Sequence, residues 1–165
     1  MTTIVDGTTG ITFPSTISGV SATQQYSGRV LQVVYGSTTT LVTSGSSTAV
    51  DTTLTATITP TSSTSKIAIF VSQNGLEKSA GNLNNGVNLY LLRNSTNLGL
   101  FTYALGYQGS TTTLITSASL NYLDSPATTS ALTYKTQFAN YYNGASLRTQ
   151  SNGDISTIML MEIAA

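Results

Sequence analysis

The sequence predicts an all-β fold: an antiparallel β-sandwich or jelly roll of about eight or nine strands, with an extended N-terminal arm. Apolar residues alternate with threonines and serines in several stretches, turn-forming Gly, Pro and Asn residues separate these stretches, and a helical repeat is nearly absent. The 165 residues suit one domain of ordinary size. We divide the chain into an arm, residues 1–28, and a sandwich domain, residues 29–165.

The arm is punctuated by glycines at short intervals, which prevents a long regular element. Its DGTTG motif (6–10) is interpreted as a turn, since it lacks the repeated acids of a calcium loop and the lysine of a phosphate loop. A disordered tail would contain fewer apolar side chains. We therefore predict an extended segment that docks on a partner or on the domain through Ile4, Val5, Ile11, Phe13, Ile17 and Val20.

The first predicted strands of the domain are rich in hydroxyl residues. RVLQVVY (29–35) and TTLVT (39–43) are separated by Gly36, and LTATIT (54–59) follows. Pro60 ends LTATIT because proline cannot donate to a ladder. The alternation in LTATIT predicts three buried residues, Leu54, Ala56 and Ile58.

The later strands are expected to pair mainly as hairpins. KIAIFVS (66–72) should return along LTATIT, and a loop that carries Glu77 and Lys78 should follow the Asn74-Gly75 break. Two further hairpins are predicted, 87–93 with 98–106 and 114–124 with 132–142, before a last strand at 155–163.

Several strands are apolar on both faces. In ISTIMLMEI, Ile158 and Leu160 should face one way and Met159 and Met161 the other, and KIAIFVS and VNLYLLR show the same pattern. A sandwich buries only one face of each sheet. We therefore expect other copies of the chain to cover the second face, with Met159 and Met161 at the subunit interface. The alternative is that the arm folds back over that face.

Composition argues against several classes of function. Cys and His are absent, so disulfides, thiolate sites and the commonest general base and metal ligand are missing, and we expect no enzyme, cofactor or metal site. Net charge is zero and charged residues make up 7%, which does not suit a nucleic-acid partner. We also expect no membrane segment and no signal peptide, hence synthesis in a cytoplasm without Sec export. A near-neutral surface indicates packing in an assembly or, alternatively, a secreted domain with a neutral polar surface.

The acids and tyrosines are the remaining candidates for a site. The six acids show no spacing typical of a catalytic pair, and most are expected to serve as turn residues. Tyrosine combines a flat apolar face with a hydroxyl, which suits protein interfaces and sugar stacking, although packing in the core or at its rim is the simpler explanation. The candidate surface-contact residues lie near predicted strand ends and are Tyr103, Tyr107, Tyr141 and Tyr142.

Two long stretches resemble a known family. RVLQVVYG with ITPTSSTSKIAIFVS and LYLLRNSTNLG, and LNYLDSPATTSALTYKTQF with STIMLMEIAA, are similar to a β-sandwich module of tailed-bacteriophage structural proteins. The opening TIVDGTTGITFP also resembles the start of phage fibre and decoration chains. The resemblance spans nearly the whole chain and rests on turns and apolar strands rather than on catalytic residues.

The resemblance implies a homotrimer in a virion. We expect a capsid decoration (cement) protein on the capsid surface, assembled in the host bacterial cytoplasm, whose arm reaches the major capsid protein. The first alternative is a short tail-fibre or receptor-binding tip that contacts other tail proteins or a host surface glycan. A polysaccharide depolymerase is a further alternative, but no recognisable acid pair supports it.

Overall fold

The computed structural model describes residues 5–6, 10–11, 27–79, 85–108, 112–142 and 146–165. Within these ranges the chain is almost entirely β, and no helix has the length and hydrophobicity to cross a bilayer. One 3-10 helix spans Ser151–Gly153. The strands are β1 (Val5–Asp6), β2 (Gly10–Ile11), β3 (Val30–Thr38), β4 (Val42–Ser44), β5 (Val50–Ile58), β6 (Lys66–Lys78), β7 (Asn85–Arg93), β8 (Thr96–Gln108), β9 (Leu114–Asp124), β10 (Leu132–Asn140), β11 (Leu147–Thr149) and β12 (Ser156–Ile163).

Two antiparallel sheets pack face to face, which confirms the predicted all-β sandwich. Sheet I has the order β5-β10-β7-β8. Sheet II has the order β3-β12-β6-β11-β4, and β9 pairs with the other edge of β6. The long β6 is therefore shared, because β12 pairs with its first half and β11 with its second half. Among the strands of these two sheets, β11 was not predicted from the sequence.

The core lies between the sheets and follows the predicted alternation. Leu54, Ala56 and Ile58 are buried, while Thr55, Thr57 and Thr59 are exposed, as LTATIT predicts. One apolar cluster combines these residues with side chains of β6, β7, β10 and β12. A second cluster lies further along β6, β7 and β10 and contains Leu76, Val87, Leu89 and Phe138, together with Leu147 of β11.

A line of buried polar side chains runs between the two clusters. Gln73 lies between Val71 and Leu76 of β6, and Thr136 lies between Tyr134 and Phe138 of β10. The Thr136 hydroxyl donates to Gln73 Oε1 at 2.8 Å, and Gln73 Nε2 donates to another buried hydroxyl, Ser156 Oγ, at 3.1 Å. Each of these polar groups thus has a partner, as burial requires, and the contacts link β10 of sheet I to β6 and β12 of sheet II.

Two predicted pairings are wrong. Strands β9 and β10 do not form a hairpin, because β9 pairs with β6 in sheet II and β10 pairs with β5 and β7 in sheet I. Strands β5 and β6 likewise belong to opposite sheets. In both cases the connecting residues carry the chain across the sandwich instead of turning it back in plane. The predicted β7–β8 hairpin is confirmed, with Arg93 paired to Thr96.

Gly75 and Gly36 do not have the roles that the sequence predicted for them. Asn74-Gly75 does not end a strand, since β6 continues to Lys78 through a bulge in which Gly75 has a φ of 59°. Glu77 and Lys78 consequently lie in this strand, both buried, and not in a loop. Gly36 does not separate two strands either. It lies within β3, where an added methyl group would overlap the carbonyl oxygen of Thr55 in sheet I.

The arm is described only in part. Strands β1 and β2 pair antiparallel, Val5 with Ile11 and Asp6 with Gly10. The other predicted docking residues, Ile4, Phe13, Ile17 and Val20, lie outside the described residues. The described chain resumes before β3, where the Gly28 N–H donates to the Ala164 carbonyl at 2.8 Å.

Candidate assembly surface

The outward side of sheet II carries two apolar rows that run across its strands. In β12, Ile158 and Leu160 are buried in the core, and Met159 and Met161 point to the opposite side, as predicted. Residues paired directly across a sheet share a face, so the register extends each row. One row is Tyr35–Met159–Phe70–Asn121 and the other is Val33–Met161–Ala68–Leu123.

Most of these apolar side chains are open to solvent in the single chain. Val33 and Leu123 are each 54% exposed and Tyr35 is 63% exposed, while Met159 and Met161 are half-buried by their neighbours. We call this set the assembly surface. It comprises Val33, Tyr35, Ala68, Phe70, Leu123, Met159 and Met161.

Hydroxyl side chains border the assembly surface. The next cross-strand row consists of Ser37, Thr157, Ser72 and Ser119. Beyond the opposite border, Ile163 pairs with Val30 and Lys66. No residue of the two apolar rows is charged, and the hydroxyl row gives them a polar border on one side, as in protein interfaces with an apolar centre and a polar rim.

The outward side of sheet I differs and resembles an ordinary solvated face. Its rows are Tyr90–Gln137–Asp51 and Leu92–Lys135–Thr55, in which polar and apolar residues mix. Lys135 and Gln137 both donate to Asp51, at 2.9 and 2.7 Å. Leu92, from the strand VNLYLLR, is already buried within the chain at 7% exposure. The second apolar face predicted for that strand therefore needs no external cover.

Sequence reasoning identified only part of the assembly surface. Met159 and Met161 were predicted, and KIAIFVS was recognised as apolar on both faces, but Val33, Tyr35 and Leu123 were missed. The apolar run Val33-Val34-Tyr35 at the end of RVLQVVY was a usable signal, because consecutive apolar residues in a strand occupy both faces. Leu123 had no comparable signal, because only the pairing of β9 with β6 brings it beside Ala68.

Three of the four tyrosines predicted as surface contacts form a cluster. The Tyr141 ring, just after β10, meets Tyr103 edge-on at a centroid distance of 5.0 Å and Tyr107 at 5.8 Å. Hydrogen bonding to Tyr141 raises the pKa of Tyr103. We call Tyr103, Tyr107 and Tyr141 the tyrosine cluster. Tyr142 is exposed as well, and its backbone N–H donates to Asn85 Oδ1 at 3.3 Å.

The acids are not mainly turn residues, which corrects the prediction. Asp51, Glu77, Asp124 and Glu162 lie in strands, whereas Asp154 follows the 3-10 helix. Their side chains stabilise the fold through specific partners: Lys135 for Asp51, Arg148 and Ser151 for Glu77, Arg93 and Tyr134 for Asp124, and Gln32 and Thr61 for Glu162.

Glu162 is the clearest example of such a structural acid. Its side chain is fully buried in β12, which opposes ionisation, yet Gln32 Nε2 donates to Oε2 and the Thr61 N–H and hydroxyl donate to Oε1, all at 2.7 Å. These donors outweigh burial and lower the pKa of Glu162 to about 2. Across the described ranges, no group of three or more Asp or Glu side chains converges as a metal site.

Comparison with protein-family models and with curated proteins found no match to this chain. The assembly surface and the tyrosine cluster are therefore the features from which a function is inferred.

Proposed function

We propose that this protein is a structural protein of a tailed-bacteriophage virion that assembles as a homotrimer through the assembly surface and decorates the capsid. The observation that supports this proposal is the pair of apolar rows Tyr35–Met159–Phe70 and Val33–Met161–Ala68–Leu123. Exposed apolar patches of this kind mark sites of protein association.

Energetic arguments favour other copies of the same chain as the molecules that cover the assembly surface. Removing a half-exposed Met, Val or Phe from water contributes about 1 kcal/mol each. A standard interface covers about 800 Å² on each partner, so the apolar rows would form its centre and the hydroxyl row its rim. Identical surfaces repel one another when they are charged, whereas these rows carry no charge and the whole chain has a net charge of zero.

The role in the virion follows from the family resemblance together with this surface. A decoration protein adds buried area across junctions of the shell and requires neither a cofactor nor a catalytic pair. In this proposal the sandwich domain forms the trimeric body, and residues 1–28 reach the major capsid protein.

The first experiment measures the assembly. Light scattering after size exclusion should give a mass three times the 17.2 kDa of the chain. Met159→Glu places a charge in the apolar rows and should yield a folded monomer. Thr57→Glu places the same charge on the exposed side of sheet I and should leave the trimer intact. A wild-type chain that is monomeric at every concentration would contradict the proposal.

A second experiment tests the location. Electron micrographs of virions should show hundreds of copies on the capsid surface, whereas a handful of copies would indicate the tail. A chain that lacks residues 1–28 should remain trimeric but no longer bind empty shells. Undiminished binding would argue against the arm as the capsid contact.

A further inference from the structure

The tyrosine cluster lies on a different part of the molecule from the assembly surface. Tyr103 and Tyr107 belong to β8 and Tyr141 follows β10, both strands of sheet I. Tyr103 is 65% exposed and Tyr107 is 51% exposed. Copies joined through sheet II would therefore leave their clusters open to solvent, and the inference drawn from the cluster goes beyond the proposed function.

The backbone holds these rings in place. Beside Tyr103, Ala104 has a φ of 49°, and its N–H donates to Asn88 Oδ1 at 2.8 Å. This left-handed conformation is unfavourable for alanine, and such strain concentrates at functional sites. Gly86 permits the close approach of the strands, because a Cβ there would lie 2.6 Å from the carbonyl oxygen of Ala104. The Gly86 carbonyl also accepts from the Tyr141 N–H at 2.9 Å, so the same glycine positions the third ring.

We propose that the tyrosine cluster binds a neutral carbohydrate, with a pyranose ring stacked on the exposed faces of Tyr103 and Tyr107. Aromatic faces are electron-rich and attract the C–H edges of a sugar ring, and tyrosine adds a hydroxyl for hydrogen bonding. Along β8, Tyr103 lies between Thr102 and Ala104, and Tyr107 lies between Gly106 and Gln108. No large apolar residue is therefore adjacent in sequence to either ring.

An unpaired donor lies at the same strand ends. Asn85 is paired with Gln108, which follows Tyr107, and its Oδ1 accepts from the backbone N–H of Tyr142. Its Nδ2 is buried and has no hydrogen-bond partner within the described part of the chain. Buried donors normally have partners, so this amide is a candidate to bind an ordered water that links it to a sugar hydroxyl.

Charge favours a sugar over a nucleic acid. Bases also stack on tyrosines, but their backbone requires lysines or arginines nearby. Arg93, Lys135 and Arg148 are paired with acids, and Lys78 is buried at 1% exposure. The other two cations belong to sheet II and not to the sheet of the cluster, because Lys66 begins β6 and Arg29 immediately precedes β3. A protein partner is also less well matched, because anchor residues of protein interfaces are packed within a larger apolar surround, whereas small and polar residues flank these rings.

The test begins with the trimeric protein on an array of neutral and acidic oligosaccharides. Several clusters on one assembly would strengthen binding through multivalency. The strongest neutral oligosaccharide is then titrated by saturation-transfer NMR and by intrinsic fluorescence. The fluorescence comes from tyrosine alone, since the chain contains nine Tyr and no Trp.

Matched variants decide whether the cluster is the site. Tyr103→Ala and Tyr107→Ala should each weaken binding at least tenfold, and Tyr103→Phe, which keeps the ring, should stay within about threefold of the wild type. Tyr35→Ala is the control, because Tyr35 is 63% exposed but lies on the assembly surface. In the titration with soluble oligosaccharide, Tyr35→Ala should bind sugar at each site with normal affinity although its trimer is weakened, while Tyr103→Ala should trimerise normally. These two variants therefore distinguish a failure of the proposed trimer from a failure of the proposed sugar site.

Three results would overturn the inference. They are the absence of binding to any neutral glycan at millimolar concentration, sugar binding that persists in both alanine variants, and capture of a protein through Tyr103 and Tyr107 without any affinity for sugars. Circular dichroism of each variant verifies that it is folded before binding is compared.

Discussion

The hydroxyl of Tyr134 donates a hydrogen bond to Asp124 Oδ2 at 2.6 Å and thereby joins the two sheets at one end of the sandwich. Tyr134 belongs to β10 of sheet I and Asp124 ends β9 of sheet II. Arg93 Nη1 binds both oxygens of the same carboxylate, at 2.9 and 2.7 Å. The carboxylate is thus shared by a buried tyrosine and a half-buried arginine of the opposite sheet.

Tyr134→Phe should lower the free energy of unfolding by about 1–3 kcal/mol, because the variant leaves a buried carboxylate with one donor fewer. Urea denaturation measures the change. Tyr142→Phe is the control, since Tyr142 is 70% exposed and its loss should change the free energy by no more than about 0.5 kcal/mol. Equal effects of the two variants would show that the contact does not stabilise the fold.

The same contact predicts a loss of stability at alkaline pH. Burial and the hydrogen bond to Asp124 raise the pKa of Tyr134. The unfolded tyrosine ionises near pH 10 while the folded one remains protonated, so the stabilisation is complete below pH 10 and declines as pH rises above it. In urea midpoints measured between pH 8 and 11, Tyr134→Phe should show a shallower decline than the wild type. Parallel curves would contradict this assignment.

The lowered pKa of Glu162 predicts that the protein loses stability as the pH falls into the acidic range. An ordinary glutamate has a pKa of about 4.3, whereas the pKa of folded Glu162 is about 2. The stabilisation is therefore complete above about pH 5 and is lost as pH falls toward 2. Glu162→Gln should flatten this decline and cost about 2 kcal/mol at pH 7, because an amide N–H₂ would face a donor of Thr61 or Gln32. An unchanged acid limb in urea titrations would exclude Glu162 as its origin.

A side chain at position 36 is expected to destabilise the fold for purely steric reasons. Gly36→Ala should destabilise the chain by about 1–3 kcal/mol, since the new methyl group would overlap the Thr55 carbonyl oxygen and separate β3 from β5. Thermal unfolding with a Ser37→Ala control checks this, because Ser37 is the exposed next residue of β3. A fully stable Gly36→Ala would mean that β3 and β5 separate easily.

The assembly surface predicts a distinctive response to salt. Association through uncharged apolar rows should be unaffected by sodium chloride up to about 1 M, because there is no ion pair to screen, and it should be strengthened by sulfate. Dissociation constants from analytical ultracentrifugation in each salt provide the measurement. Dissociation by sodium chloride alone would indicate that charged groups hold the copies together.

The sequence by itself determined which side of a strand each residue occupies. Side chains alternate strictly along a strand, so Leu54, Ala56 and Ile58 were predicted as core, and Met159 and Met161 were placed opposite Ile158 and Leu160. The limits of the strand at 114–124 were also correct. These are local properties, set by a few neighbouring residues.

Apart from the β7–β8 hairpin, only the tertiary structure decided which strands are neighbours. The pairing of β9 with β6, the meeting of Tyr141 with Tyr103, and the sharing of Asp124 by Tyr134 and Arg93 join segments far apart in the chain. A strand with one apolar side can pair with many other strands equally well. The alternation of its residues therefore does not specify which strand lies beside it. The choice is made when the two sheets bury their apolar sides together and most buried polar groups find a donor or acceptor.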